Sequence, residues 1–218
     1  MVDELAGAVG RGRARGFSER LERAAAAYRR DRYPEALRIT RVLAGQVPES
    51  ASVRELHGLV CYRLGRWREA VSNLEAARSL TGGDPNQLPV IMDCHRALGH
   101  HRRVEELWAE LRACSAPVDV LFEGRLVLAA QRADRGELGS AVDLLVAAGA
   151  QRDLRHPAER HLRQWYVLAD LYERAGDFAG ARELFARVAR ADPDLADARQ
   201  RLGDLGRPRR RARRAAGS

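Results

Sequence analysis

Residues 171–193 read LYERAGDFAGARELFARVARADP. Gly176 breaks the run into two parts. After it, Phe178, Ala181, Phe185 and Val188 fall at i, i+3, i+7 and i+10, one stripe of a 3.6-residue helix. Pro193 then ends the pattern, because proline cannot continue a helix. The stretch therefore reads as a helix, a short turn and a second helix. The same grammar recurs in CYRLGRWREAVSNLEAARSL, residues 61–80, where Gly65 precedes Trp67, Ala70, Leu74 and Ala77. Gly99 precedes His101, Val104, Trp108 and Leu111, and Gly136 precedes Leu138, Ala141, Leu145 and Ala148. An altered copy opens the series, with Asp31 in the glycine's place, then Tyr33, Ala36, Thr40, Leu43 and Pro48. The five turn residues are spaced by 34, 34, 37 and 40 positions, the period of a repeat architecture.

Each first helix carries a small or flexible residue seven positions before its turn: Ala24, Gly58, Met92, Ala129 and Ala169. Such a residue, facing the small Ala36, Ala70, Ala141 or Ala181 of the second helix, lets two helices approach closely. Pro85, Pro117 and Pro157 stand near the starts of first helices, where proline is tolerated. The segment 194–205 is amphipathic, with Leu195, Ala198, Leu202 and Leu205 on one face, and reads as a helix capping the last pair. No stretch alternates with period two. The fold class is therefore all-α: about five helix-turn-helix repeats over 17–206 plus a capping helix.

The order Trp165, Leu168, Ala169, Tyr172, Gly176, Phe178, Ala181, Phe185, Pro193 resembles the tetratricopeptide repeat (TPR) family. The resemblance extends over residues 17–206. The strings RELHGLVCYRLGRWREAVSNLEAAR and IMDCHRALG are similar, more narrowly, to a group of TPR proteins of high-GC bacteria, which adds no activity. The family resemblance implies a right-handed superhelix whose first helices line a concave groove, and a non-catalytic scaffold that binds a protein or peptide segment there. The family presents ligand contacts one, four and five positions after the small residue. Carried over by position, the groove set includes Tyr28, Arg29, Tyr62, Arg63 and Arg96 toward the N-terminus, and Asp134, Asp170, Glu173 and Arg174 toward the C-terminus. Arginine suits bidentate capture of a carboxylate and tyrosine suits recognition. A groove so polarised favours an acidic or C-terminal carboxylate segment at one end and a basic one at the other. The lysine and asparagine clamp by which some members hold chaperone tails is not matched.

The chain has 218 residues, with a formal net charge of +8 carried entirely by arginine, since lysine is absent. Scarce asparagine and isoleucine beside abundant alanine, arginine and glycine point to GC-rich coding. The charge is unevenly spread. Residues 17–206 hold 29 arginines and 28 acids, a net of +1, whereas 207–218 hold six arginines and no acid. Residues 1–16, a basic N-terminal arm, and 207–218, an arginine-rich tail, are expected to be disordered. Arg209, Arg210, Arg211, Arg213 and Arg214 are candidates for nucleic-acid or ribosome contact through phosphates, without base stacking, since no aromatic is interleaved. Exposed apolar side chains on outer helices would allow self-association.

Other chemistry finds little footing in the sequence. No apolar run approaches the roughly 18 residues that span a bilayer. Cys61, Cys94 and Cys114 are odd in number and far apart, which argues against a disulfide framework and fits a reducing cytoplasm. Cys94-His95 and His100-His101 lack the paired spacing of a structural zinc site, so no metal and no cofactor is expected. Cys61 and Cys94 read as buried packing residues. GRGRARG follows no strand and so is no phosphate loop.

Overall fold

Backbone φ turns positive at each of the five expected turns: Asp31 (56°), Gly65 (71°), Gly99 (73°), Gly136 (81°) and Gly176 (86°). This left-handed conformation is what glycine adopts freely and what aspartate tolerates better than most residues. The hydrogen bonding is the same each time. The left-handed residue's N–H donates to the carbonyl three positions back: Asp31 to Tyr28, Gly65 to Tyr62 and Gly99 to Arg96 at 3.0 Å. The following N–H donates five positions back, as Arg66 does to Cys61 and Asp177 to Tyr172 at 2.9 Å. Both bonds together are the Schellman closure of a helix C-terminus. At Asp31, the Tyr33 hydroxyl donates to the carboxylate and Arg63 Nη2 lies 3.7 Å from it, so side-chain contacts replace the freedom a glycine would supply. At Gly99 a Cβ would meet nothing within 4 Å, so the only penalty there is conformational. Gly99→Ala is expected to cost about 1–2 kcal/mol in chemical denaturation.

The structure, a computed structural model, describes residues 11–206. Among them lie eleven α-helices and no strand. These are α1 (Arg11–Arg29), α2 (Tyr33–Gln46), α3 (Ala51–Arg63), α4 (Trp67–Leu80), α5 (Leu88–Ala97), α6 (His101–Ala113), α7 (Val118–Asp134), α8 (Leu138–Ala147), α9 (Glu159–Ala175), α10 (Phe178–Ala191) and α11 (Ala198–Gly206). A one-turn 3₁₀ segment, Pro85–Gln87, leads into α5. Helix starts carry the caps their residues predict. The Ser50 side chain accepts from Val53 N–H, and that of Asp177 accepts from Gly180 N–H.

Two boundaries differ from the sequence reading. Helix α1 begins at Arg11, six residues before the expected start, because Ala14 is buried with Leu21 and Leu43 and extends the apolar stripe. The capping helix begins at Ala198 and not at 194, because Ala196 takes a left-handed φ of 51° and interrupts the chain after Pro193. Residues 1–10 and the tail 207–218, with Arg209, Arg210, Arg211, Arg213 and Arg214, lie outside the described residues.

The chain divides into two compact units, residues 1–131 and 132–218. In the first unit each helix from α1 to α5 packs on the next, and α3 also touches α1 and α5. Its core runs as linked clusters: Leu21, Leu43 and Val53; then Ala27, Ala36 and Val60; then Cys61, Ala70 and Cys94. The expected small position Gly58 lies hard against α4, where the nearest atoms belong to Leu74. In a helical hairpin, residues at similar distances from the turn face each other. By distance from Gly65 alone, Leu74 at nine after and Ala70 at five after match Gly58 at seven before equally, and the packing places Leu74, not the expected Ala70, against it. In the second unit α9 packs on α8 and α10, and α10 on α11. Trp165, Leu168, Ala169, Ala181, Leu184, Phe185 and Val188 are buried there.

Candidate partner-binding face

The first-helix positions fall into three groups. Tyr28 and Arg29 end α1, and the turn at Asp31 brings Tyr33 back beside them. The Tyr28 and Tyr33 rings meet edge to face with centroids 5.6 Å apart. From the end of α3, the Arg63 guanidinium lies 4.7 Å over the Tyr33 ring, with nearly half of its side chain exposed. Burial pushes the Tyr28 hydroxyl above its usual range, against the pull of Arg63. Arg29 is exposed. The result is a surface patch of two tyrosines and two arginines in which one guanidinium is already stacked and oriented.

The second group is bound to itself. Tyr62 on α3 donates to Asp93 Oδ2 on α5 at 2.7 Å, and Arg96 Nε donates to Asp93 Oδ1 at 2.8 Å. The Tyr62 ring packs edge to face on Trp67, 5.6 Å away. Burial, then the hydrogen bond to Asp93, pushes its hydroxyl far above the usual range.

The third group, in the second unit, is closed by a residue outside the expected set. Arg201 of the capping helix α11 reaches Asp170 Oδ1 and Glu173 Oε2, both at 2.8 Å. Its guanidinium stacks 4.6 Å over Phe185, and Tyr166 beside it donates to Asp197 at 2.6 Å. Arg174 pairs with Asp170 at 3.6 Å and donates to the Ala133 carbonyl at 3.1 Å. Asp134 is exposed at the end of α7. The acidic excess counted from the sequence at Asp170 and Glu173 is thus met by Arg201. The signal was present, since Arg201 sits three positions after the buried Ala198 on one helical face, but nothing local tied it to α9.

The cysteines separate by environment. Cys61 and Cys94 are buried, and burial pushes both thiols up to about 12, well away from thiolate chemistry. Cys114 is exposed, and its thiol donates to the Leu111 carbonyl. One convergence escaped the sequence reading. The donor atoms of His57, Cys61 and Glu69 all lie within 4.8 Å of one another. The visible trace was the H-x3-C spacing of His57 and Cys61, which puts both on one face of a helix. Burial lowers the His57 pKa, opposed by its hydrogen bond to Glu69. Among the described residues, no helix is long and apolar enough to cross a membrane.

Comparisons with known proteins place these helix pairs. A tetratricopeptide repeat family profile matches residues 162–205, which are most of α9, all of α10 and most of α11. No curated protein matches the chain. Among solved structures, the chain is similar to a thermophilic TPR protein of Thermus thermophilus, with 18% identity and a TM-score of 0.68 over 87% of this chain and 98% of that one. The TPR domain of P58(IPK) overlaps 89% of this chain and 56% of its own at 17% identity and a TM-score of 0.47. The chain's fold is all-α and TPR-like, a fold that commonly mediates protein–protein interaction.

Proposed function

We propose that the protein is a non-catalytic scaffold of the cytoplasm that binds a protein partner on its first-helix face. The reading rests on the Tyr28, Arg29, Tyr33 and Arg63 patch. Stacking on Tyr33 orients the Arg63 guanidinium and lowers the entropy lost when its in-plane N–H edge meets a carboxylate, and a partner carboxylate there competes with Asp31, 3.7 Å from Nη2. The matching ligand is an acidic segment or a free C-terminal carboxylate. Tyr62 and Arg96 support this face through Asp93, and a basic partner group at Asp170 or Glu173 would compete with Arg201.

The test is capture of partners from a bacterial lysate by the full chain and by an Arg29→Glu, Arg63→Glu variant of unchanged circular dichroism. The charge reversal is expected to lower affinity for the captured partner at least about tenfold, the scale of one lost charge-assisted pair. Equal recovery of the same partners by both proteins overturns the reading. A second reading, auxiliary nucleic-acid contact, draws on the charge segregation: 207–218 carries six arginines while 17–206 is nearly neutral. Deleting 207–218 would then abolish salt-sensitive binding to RNA or duplex DNA.

A further inference from the structure

We propose that His57, Cys61 and Glu69 form a site for one divalent cation of the zinc class, tying α3 to the start of α4. His57 and Cys61 stand one turn apart on α3, and the Gly65 turn delivers Glu69 in the first turn of α4. His57 Nε2 lies 3.1 Å from Glu69 Oε1 and 3.9 Å from Cys61 Sγ. Zinc-type bonds of about 2.0–2.3 Å hold tetrahedral donors roughly 3.3–3.8 Å apart, so modest side-chain movement completes the geometry. A mixed imidazole, thiolate and carboxylate set suits a borderline-soft cation over the oxygen-seeking magnesium or calcium.

The hydrogen bonds around His57 point the same way. Thr40 has one hydroxyl proton, and its Oγ1 lies 3.0 Å from the Ala36 carbonyl, the i−4 acceptor that a helical threonine uses. Oγ1 is then the acceptor for His57 Nδ1–H, at 2.9 Å. In that tautomer Nε2 turns its lone pair toward Glu69 Oε1 and Cys61 Sγ, where a cation would sit, and in the other tautomer Nε2–H donates to Glu69. The arrangement also differs from a catalytic relay. Thr40 and Glu69 take opposite ring nitrogens as in a relay, but the Thr40 hydroxyl is fully buried and bonded to the Ala36 carbonyl, so no substrate reaches it.

Binding replaces the Cys61 S–H bond by a metal–sulfur bond and releases that proton to solvent. The site charge rises by one, the same change that protonating His57 would bring, in the presence of Arg41, Arg54 and Arg66. Glu69 is the partly exposed member, which leaves a path for the ion and room for a water as fourth ligand. Its second oxygen is held by Arg66 Nη2 at 2.7 Å.

The full chain, stripped with a chelator and kept reduced, would be titrated with Co²⁺ and then Zn²⁺. One equivalent of Co²⁺ is expected to give thiolate-to-metal charge transfer and tetrahedral d–d absorption, both bleached by Zn²⁺. Cys61→Ser should abolish the charge transfer, while Cys94→Ser and Cys114→Ser keep it. Thr40→Val, which removes the positioning hydroxyl at nearly constant volume, should weaken Co²⁺ binding about 10- to 100-fold. Glu69→Gln, at the exposed edge of the site, should weaken it as well in a fully helical protein. Absent thiolate charge transfer, a band that survives Cys61→Ser, or unchanged affinity in Glu69→Gln overturns the proposal.

Discussion

Phe185→Ala is expected to destabilise the second unit by about 3–5 kcal/mol, the range for removing a buried aromatic ring from a packed core. Phe185 is fully buried and stands where α9, α10 and α11 meet. Tyr166 contacts it edge to face at 5.6 Å, and the Arg201 guanidinium lies over its ring at 4.6 Å. Removing the ring opens a cavity and takes away the surface that holds Arg201 over Asp170 and Glu173. The loss should therefore reach the capping helix. Hydrogen exchange would show amides of α10 and α11 losing protection together, while α1–α6 keep theirs. A loss below about 1 kcal/mol in urea denaturation would mean that the ring is not close-packed.

Gly58→Ala should cost about 1–3 kcal/mol, the range for forcing a methyl into a filled core. An added Cβ would stand 2.7 Å from Leu74 Cγ, 2.8 Å from Leu74 Cδ2 and 3.2 Å from the Leu74 backbone nitrogen. The side chain has no free end to swing, because Leu74 is fully buried, and the backbone nitrogen cannot yield without moving α4. Leu74→Ala alone should cost about 2–5 kcal/mol through the cavity it leaves. The double variant should cost clearly less than the sum, since the new methyl enters the space Leu74 vacated. Additive losses in a denaturation cycle would refute direct contact as the cause. Gly58 also lies between His57 and Cys61 on α3, so metal titration of Gly58→Ala should weaken with the hairpin.

The helix pairs were legible because their signals are local. A left-handed turn residue and a proline past the end each act within about one turn of helix, and a stripe at i, i+3, i+7 and i+10 lies within one helix. Even the altered first copy was readable, since Asp31 is one of the few residues that accept positive φ, and it does so at 56°. The boundaries at Arg11 and Ala198 were less legible, because burial of Ala14 depends on contact with another helix and alanine gives no local signal for the left-handed φ at Ala196.

The candidate binding face was readable as a set of positions and not as a set of charges. Tyr28, Arg29 and Arg63 lie together at the surface, but Tyr62 and Arg96 are engaged with Asp93, and Asp170 and Glu173 with Arg201. Counting charges along first helices treats each side chain as free. Which of them are free depends on the neighbouring helix, 31 residues away for Tyr62 and Asp93 and 28 for Arg201 and Glu173. The His57, Cys61 and Glu69 cluster was missed for the same reason, since Thr40, which orients it, comes from α2.

The sequence by itself determined the repeat: where the helices turn, which stripe each buries, and that the order is pairs followed by a cap. Those features follow from backbone conformations and side-chain periods within a few residues. The tertiary structure alone decided which polar groups meet. That depends on how closely and at what height two helices pack, which Gly58 against Leu74 and Phe185 beneath Arg201 set through contacts between helices that no local pattern encodes.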